Sequence, residues 1–241
     1  MDLNKYLEKA EVLVEALPYI QRFNRKIIVV KYGGSAMLDE SLMNHVIEDV
    51  VLLKLCGFKP VIVHGGGKEI SRWMKKAGVE PKFYNGLRIT DADTLEIAEM
   101  VLGKVNSDLV TLAQNLGVRA VGISGKDGRL MTAEQAKPDG KDIGYVGTVK
   151  HVDTKIIYDL LDDDFLPIIY PIGIGEDGQS FIITGGMIPK VQNCLKAIEG
   201  GVNRVHILDG RIPHCLLLEI FTDRGCGTAI MNPEETRYYN R

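Results

Sequence analysis

The sequence predicts an α/β fold: a three-layer αβα sandwich around a mainly parallel, open sheet. Apolar, β-branched runs such as residues 27–30 and 61–63 recur along the chain, and a glycine turn and a helical pattern follow them. Glycine is also enriched, because 26 are present where average usage would give about 17. No internal repeat or linker divides the chain, so we expect ligand-binding turns at strand ends of one sheet.

The composition is that of an ordinary globular protein, with 45% apolar and 25% charged residues. A net charge of −3 favours a small-molecule partner over nucleic acid. We expect no membrane span, because no apolar run reaches about 18 residues, and the start resembles neither a signal nor a transit peptide. A cytoplasmic protein is therefore expected. The four cysteines lack paired spacing, so we expect them to be free and buried, and we predict no metal-ligating residues.

Residues 1–24 are predicted to form an amphipathic helix set apart from the main domain at 25–241. Apolar residues recur every three or four positions over residues 3–23, and Pro18 should kink or end the helix. A helix ahead of the first strand has no place in a β–α–β unit. It either packs on an edge of the fold or contacts another subunit.

The first predicted strand, residues 26–32, is expected to be buried on both faces and ends on Lys31 before Gly33 and Gly34. A lysine at the carboxyl end of a strand lies where open α/β sheets bind ligands. The glycines would let an anion approach backbone N–H groups. A lysine that merely extends its charge into solvent is the alternative.

The second strand, residues 59–64, leads into Gly65, Gly66 and Gly67 and then into a helix. A strand, a glycine turn and a helix N-terminus form an anion site from backbone donors and the helix dipole. Two such turns on neighbouring strands predict one joint phosphate site.

A hairpin is predicted around Asn85 and Gly86. Arg88 follows this turn, and it is either a solvated strand residue or a clamp for a substrate carboxylate. A long helix is predicted from Asp91 to about residue 116, in which Asn106 is expected to face solvent.

The second half alternates further strands and helices. Residues 129–151 predict hairpins at a sheet end, and the strand at 166–173 is interrupted by Pro171. Lys190 lies near the start of a helix that runs to about residue 198. A cation there opposes the helix dipole unless an anion lies between them, so a phosphate contact and a purely structural role both stand. His206, in the last strand, is expected to be a core histidine.

The ordered motifs at residues 31–36, 63–67, 85–90, 124–128 and 185–190 resemble those of the amino acid kinase family. The resemblance extends over about residues 10–231. It implies an open αβα sandwich that transfers the γ-phosphoryl group of ATP to the side-chain carboxylate of N-acetyl-L-glutamate, in arginine biosynthesis. Mg²⁺ would be bound mainly through phosphate oxygens. The motifs at 85–88 and 186–190 weigh against family members that act on carbamate, UMP or aspartate.

The resemblance also implies roles for individual residues. Lys31 and Lys190 would flank the transferred phosphoryl group. Arg88 would hold the α-carboxylate of the substrate. The glycines would donate backbone hydrogen bonds: Gly33, Gly34 and Gly65 to phosphates, and Gly66 and Gly67 to the acceptor. The N-terminal part of the main domain would bind the acceptor, and its C-terminal part the nucleotide.

The N-terminal helix and the C-terminal motifs resemble the arginine-inhibited branch of this family. In that branch the helix links dimers into a hexamer, and arginine binds near it as an inhibitor. The resemblance implies arginine contacts by His206, Glu219, Gly225 and Tyr19.

The sequence departs from the family pattern after Phe181. The family continues there with an Asn-x-Asn-Ala-Asp segment, a helix and a strand, a unit of about 30 residues or more. That unit supplies an asparagine to the substrate, an aspartate that organises the lysines, and much of the adenine pocket. The nucleotide part is therefore expected to be truncated. The chain is either a kinase, with activity reduced by the loss, or an inactive arginine-binding or assembly subunit.

Overall fold

The computed structural model describes residues 3–34, 37, 39–183, 187–223 and 225–232, with the backbone alone at Lys5 and 187–190. The helices in this part of the chain are α1 (Leu3–Glu15), α2 (Leu17–Phe23), α3 (Glu40–Leu55), α4 (Gly67–Lys76), α5 (Ala92–Asn115), α6 (Lys155–Asp162), α7 (Met187–Glu199) and α8 (Cys215–Phe221). The strands are β1 (Ile27–Tyr32), β2 (Lys59–His64), β3 (Phe83–Tyr84), β4 (Leu87–Arg88), β5 (Ala120–Ser124), β6 (Met131–Gln135), β7 (Val146–Val152), β8 (Leu166–Tyr170), β9 (Ile172–Ile174), β10 (Ser180–Ile183), β11 (Arg204–Ile207) and β12 (Thr228–Met231).

The main sheet contains four parallel strands in the order β1-β2-β8-β5. Its apolar side chains pack on α3 and α5 on one face, where Ile47, Ile62 and Leu109 are fully buried. On the other face Val61, Ile123 and Ile169 pack against α6. The predicted three-layer αβα sandwich with a parallel sheet is confirmed.

Strand β1 differs from its prediction, because it is buried on one face only. It lies at the sheet edge, and Ile27, Val29 and Lys31, which share a face, are exposed. Val29 is 63% exposed. Helix α6 covers the other strands but leaves this face of β1 uncovered.

Strands β6, β7, β9 and β10 close into a small barrel. The predicted hairpin at 129–151 is present as the antiparallel pair β6–β7, but closure of the barrel was not predicted. Pro171 separates β8 from β9 as expected, and the chain passes there from the sheet into the barrel. Barrel residues Ile172 and Ile182 share a core with α4 and α5.

The last strands do not extend the parallel sheet. Strand β11 pairs with β12 in an antiparallel two-stranded sheet, because the chain returns beside β11 after the short helix α8. Helix α8 packs on α3. All four cysteines are free, as predicted, but only Cys215 is fully buried.

The N-terminal helix is broken at Ala16, and Pro18 lies in the first turn of α2, where proline is tolerated. The apolar side chains of α1, including Leu7 and Val14, are exposed. Phe23 at the end of α2 contacts Phe58, with ring centroids 6.0 Å apart. Among the described helices, none combines the length and the apolar character needed to cross a bilayer.

Candidate active site

The two glycine turns predicted to form one site face each other. Strands β1 and β2 are neighbours, with Tyr32 opposite His64, so both turns leave the same edge of the sheet. The Gly65 N–H donates to the Tyr32 carbonyl over 2.9 Å. A Cβ at Gly33 would lie 3.7 Å from the Gly65 nitrogen. Gly34 has φ +79°, a conformation that favours glycine.

Gly66 directly precedes α4 and has no side chain to cap it. The N–H groups of the first turn of α4 are therefore left without a capping side chain, at the positive end of the helix dipole. A Cβ at Gly66 would lie 2.7 Å from Cδ2 of Leu102 on α5. A larger residue at this position would force the buried side chain of Leu102 to shift.

Arg88, at the end of β4, is buried against the first two turns of α4 and is only 6% exposed. Its Nη2 donates to the Gly67 carbonyl and to Ser71 Oγ, both over 2.8 Å. Its guanidinium lies 4.9 Å from the ring centroid of Phe83. The alternative of a solvated arginine is therefore wrong.

The charge of Arg88 has no carboxylate partner among the described residues. Burial lowers the pKa of Arg88, because a desolvated cation is costly unless an anion compensates it. An anionic ligand would supply that compensation.

Two buried polar residues behind the second glycine turn, His64 and Asn106, were not identified from the sequence as part of the site. His64 is 1% exposed at the end of β2, and its Nδ1 lies 2.8 Å from the Gly65 carbonyl. The Nδ2 of Asn106 lies 3.1 Å from His64 Nε2 and donates to the Ile168 carbonyl over 2.8 Å. Burial lowers the pKa of His64, against the opposing effect of the bond to Gly65. A neutral ring that donates from Nδ1 and accepts at Nε2 satisfies both contacts.

Asn106 is 4% exposed, so the expectation that it faces solvent was wrong. Space for it is provided by Gly122 on β5, where a Cβ would lie 1.8 Å from Asn106 Oδ1. The available signal was a polar residue between Leu102 and Leu109, two core residues of the same helix. The contacts of Asn106 thus connect β2, α5 and β8 behind the second glycine turn.

Of the two predicted catalytic lysines, the structure describes the side chain of Lys31 and only the backbone of Lys190. Lys31 lies at the carboxyl end of β1, on the exposed face of that strand. Lys190 lies in the first turn of α7, and its side chain is outside the described part of the structure. Thr184, Gly185 and Gly186, which precede that helix, are outside it as well.

Three of the four residues assigned to arginine lie together near the C-terminus. His206 Nδ1 is 2.5 Å from Glu219 Oε1, and Glu219 Oε2 accepts from the Cys226 N–H over 2.7 Å. A Cβ at Gly225 would lie 3.1 Å from Glu219 Oε2. Tyr19 lies on α2, which reaches α8 through contacts of Phe58.

Both carboxylate oxygens of Glu219 have hydrogen-bond partners in this cluster. Burial alone would raise the pKa of its carboxyl, but the hydrogen bonds from Cys226 and His206 outweigh it and lower the pKa overall. His206 is half-buried and bonded to Glu219 rather than enclosed in the core.

The sequence pattern of the amino acid kinase family matches residues 26–185. The chain belongs to this family. It is 46% identical to an acetylglutamate kinase of Campylobacter jejuni subsp. jejuni over 281 residues, which cover 95% of this chain and 100% of the relative. It is 45% identical to an acetylglutamate kinase of Caldanaerobacter subterraneus subsp. tengcongensis, over 92% of this chain and 93% of the relative. The prediction of a kinase of this family is confirmed.

A solved structure supports the fold. N-acetylglutamate synthase from Neisseria gonorrhoeae, complexed with coenzyme A and N-acetyl-glutamate, matches with a TM-score of 0.78 and 24% identity. The match covers 92% of this chain but 63% of that longer chain. At this identity the likeness shows the fold alone.

The alignments also measure what this chain lacks. The Campylobacter alignment runs over 281 positions but uses 95% of the 241 residues here, about 229. About 50 positions of the relative therefore have no counterpart in this chain. The family pattern ends at residue 185, four residues after Phe181. The number of unmatched positions agrees in size with the unit expected to be missing.

Proposed function

We propose that this chain transfers the γ-phosphoryl group of ATP to the side-chain carboxylate of N-acetyl-L-glutamate, in the cytoplasm, as a step of arginine biosynthesis. The observation that carries the proposal is Arg88, a buried cation without a carboxylate partner among the described residues. Its guanidinium is held against the first turns of α4, directly after the second glycine turn. A substrate α-carboxylate would compensate its charge with charge-assisted hydrogen bonds.

The facing glycine turns fit the second requirement of this reaction. Phosphoryl transfer depends on positioning and charge stabilisation more than on a chemical base. We assign the backbone N–H groups of Gly33, Gly34 and Gly65 to phosphate oxygens, and those of Gly66 and Gly67 to the acceptor. The uncapped start of α4 favours negative charge at the same place.

We assign Lys31 and Lys190 to the oxygens of the transferred phosphoryl group. The position of Lys31 at the carboxyl end of β1 supports this, as does that of Lys190 in the first turn of α7. Mg²⁺ would be bound through phosphate oxygens.

We further propose inhibition by arginine and assembly into an oligomer. The cluster of His206, Glu219 and Gly225 offers a buried carboxylate for a guanidinium, and we add Tyr19 to it. The exposed apolar residues on α1 support a helix contact between copies, which would link dimers into a hexamer.

An alternative is a catalytically impaired member that serves as an arginine-binding or assembly subunit. The absence of about 50 aligned positions favours it, because the missing unit carries the aspartate and adenine-side residues that the family uses. The uncovered face of β1, with Val29 exposed, agrees with a lost neighbour.

The test combines three measurements on one sample. The intact mass should be 26.7 kDa. Calorimetry then measures binding of N-acetyl-L-glutamate and, in a separate titration, of arginine, and an ATP-dependent assay measures formation of the acyl phosphate. Binding with turnover supports the kinase. Binding of arginine without turnover supports the alternative, and absence of N-acetyl-L-glutamate binding refutes the assignment of Arg88. The same assays on the variant Arg88→Met test the role of Arg88. Its matched control is Arg119→Met, at an exposed arginine that stacks on Phe165.

A further inference from the structure

Two histidines and a glutamate converge where α8 packs on α3. His45 and Glu48 lie one turn apart on α3, and His214 directly precedes α8. One nitrogen of each histidine and one Glu48 oxygen all lie within 4.8 Å of one another. The two imidazole rings are 4.7 Å apart between centroids. These residues take no part in the site proposed for phosphoryl transfer.

A buried carboxylate orients one of the two histidines. Asp49 is 1% exposed, and its Oδ1 lies 2.6 Å from His214 Nδ1. Donation from Nδ1 to the carboxylate leaves Nε2 of His214 as the ring atom with a free lone pair. Histidines that bind metals almost always donate their other ring N–H in this way, often to a carboxylate.

The second histidine, His45, has a ring nitrogen whose hydrogen-bonding capacity is not used within the described structure. Nδ1 of His45 is buried and has no hydrogen-bond partner within the described structure. Leaving a buried polar atom without a partner costs about 1–3 kcal/mol. A metal bond to this atom would satisfy it, with the ring already beside His214.

We propose that His45, Glu48 and His214 bind one divalent transition-metal ion, with Zn²⁺ as the best match. Two imidazoles and one carboxylate form a ligand set that suits Zn²⁺, whereas Mg²⁺ and Ca²⁺ prefer oxygen ligands alone. With bonds of about 2.0–2.1 Å, tetrahedral ligand atoms lie about 3.3 Å apart, so small side-chain rotations close the set. A water molecule completes it.

The ion would join two distant parts of the chain. Asp49 and His214 are 165 residues apart in sequence, and the ion would attach α8, which carries Glu219, to α3. The sequence did not reveal the site, because the third ligand comes from a residue remote from the His45–Glu48 pair.

The test uses the full chain freed of metal by EDTA and then titrated with Zn²⁺ alone or Co²⁺ alone. We expect one Zn²⁺ per chain with Kd at or below about 10 μM, a higher Tm with Zn²⁺, and visible Co²⁺ absorption typical of four-coordination. Mg²⁺ should not compete. Glu48→Gln, at an exposed side chain, should weaken Zn²⁺ binding at least about 10-fold. Asp49→Asn should weaken it about 10–100-fold.

Controls separate this site from other ligands. His151→Gln, at an exposed histidine on β7, should leave Zn²⁺ affinity unchanged. His45→Gln should abolish the Co²⁺ spectrum. The proposal is overturned if the wild-type chain does not bind Zn²⁺, or if Glu48→Gln and His45→Gln bind it as tightly as wild type. Loss of binding on alkylation of the cysteines, with the histidine variants unaffected, would also overturn it.

Discussion

Replacement of Asn106 by leucine tests whether its buried contacts with His64 and Ile168, behind the second glycine turn, stabilise the fold. Leucine has a similar size but cannot donate, so His64 Nε2 and the Ile168 carbonyl would lose their contacts with Asn106 Nδ2. Each buried acceptor left without a donor costs about 1–3 kcal/mol. The second branch of leucine would also press on Gly122, where space is already tight. We expect Asn106→Leu to lower the free energy of unfolding by about 3–5 kcal/mol.

Urea denaturation at fixed pH measures this loss, and thermal unfolding gives an independent value. For a chain of this length a loss of about 3 kcal/mol lowers Tm by about 6–12 °C. Asn115→Leu is the matched control, because Asn115 is exposed on the same helix and should change stability by less than about 0.5 kcal/mol. If Asn106→Leu is as stable as Asn115→Leu, the contacts of Asn106 do not stabilise the fold, and our interpretation of these contacts is wrong.

Three further predictions concern the site itself. Arg88→Met should weaken N-acetyl-L-glutamate binding about 30–1000-fold in calorimetry, while the Tm without ligand stays equal or rises because a buried, uncompensated charge is removed; an unchanged Kd contradicts this. Gly66→Ala should reduce stability and ligand binding, since its Cβ would lie 2.7 Å from Leu102 Cδ2, and Leu102→Ala in the same chain should restore part of the loss; two additive losses would argue against the clash. Burial lowers the pKa of His64 from its ordinary 6.5, so the unfolded chain takes up this proton first, and stability is full above pH 6.5 and falls as the pH drops below it. Urea midpoints between about pH 5 and 8 should show this fall, and His64→Gln should reduce it; an equal slope in both proteins is the contrary result.

The part of the site that the sequence predicted depends on local patterns. A strand that ends in a glycine turn can be identified from residues 26–34, and a buried strand, a glycine turn and a helix start can be identified from residues 59–68. Parallel strands expose their carboxyl ends at one edge, so the meeting of Gly33 and Gly65 followed from the fold class.

Other features depend on contacts between distant residues. The apolar run of β1 was expected to be buried on both faces, but neighbours decide burial, and this strand lies at an edge with one face uncovered. Asn106 looked like a surface residue because its partners, His64 and Ile168, come from strands far away in sequence. The barrel closes through pairing of β6 with β9 and of β7 with β10, which hairpin signals in the sequence do not specify.

The missing positions affect the two halves of the proposed reaction differently. Arg88, the facing glycine turns and the His64–Asn106 pair take their contacts from elements that end before residue 175, ahead of Phe181, after which the family unit was expected. The acceptor contacts that we assign to Arg88, Gly66 and Gly67 therefore do not require the missing unit, and on the acceptor side the chain loses the family's asparagine contact alone. The resemblance places the missing unit on the nucleotide side, where the family uses its aspartate to organise the two lysines. We therefore expect the loss to reduce turnover far more than N-acetyl-L-glutamate binding, so that kcat carries the deficit.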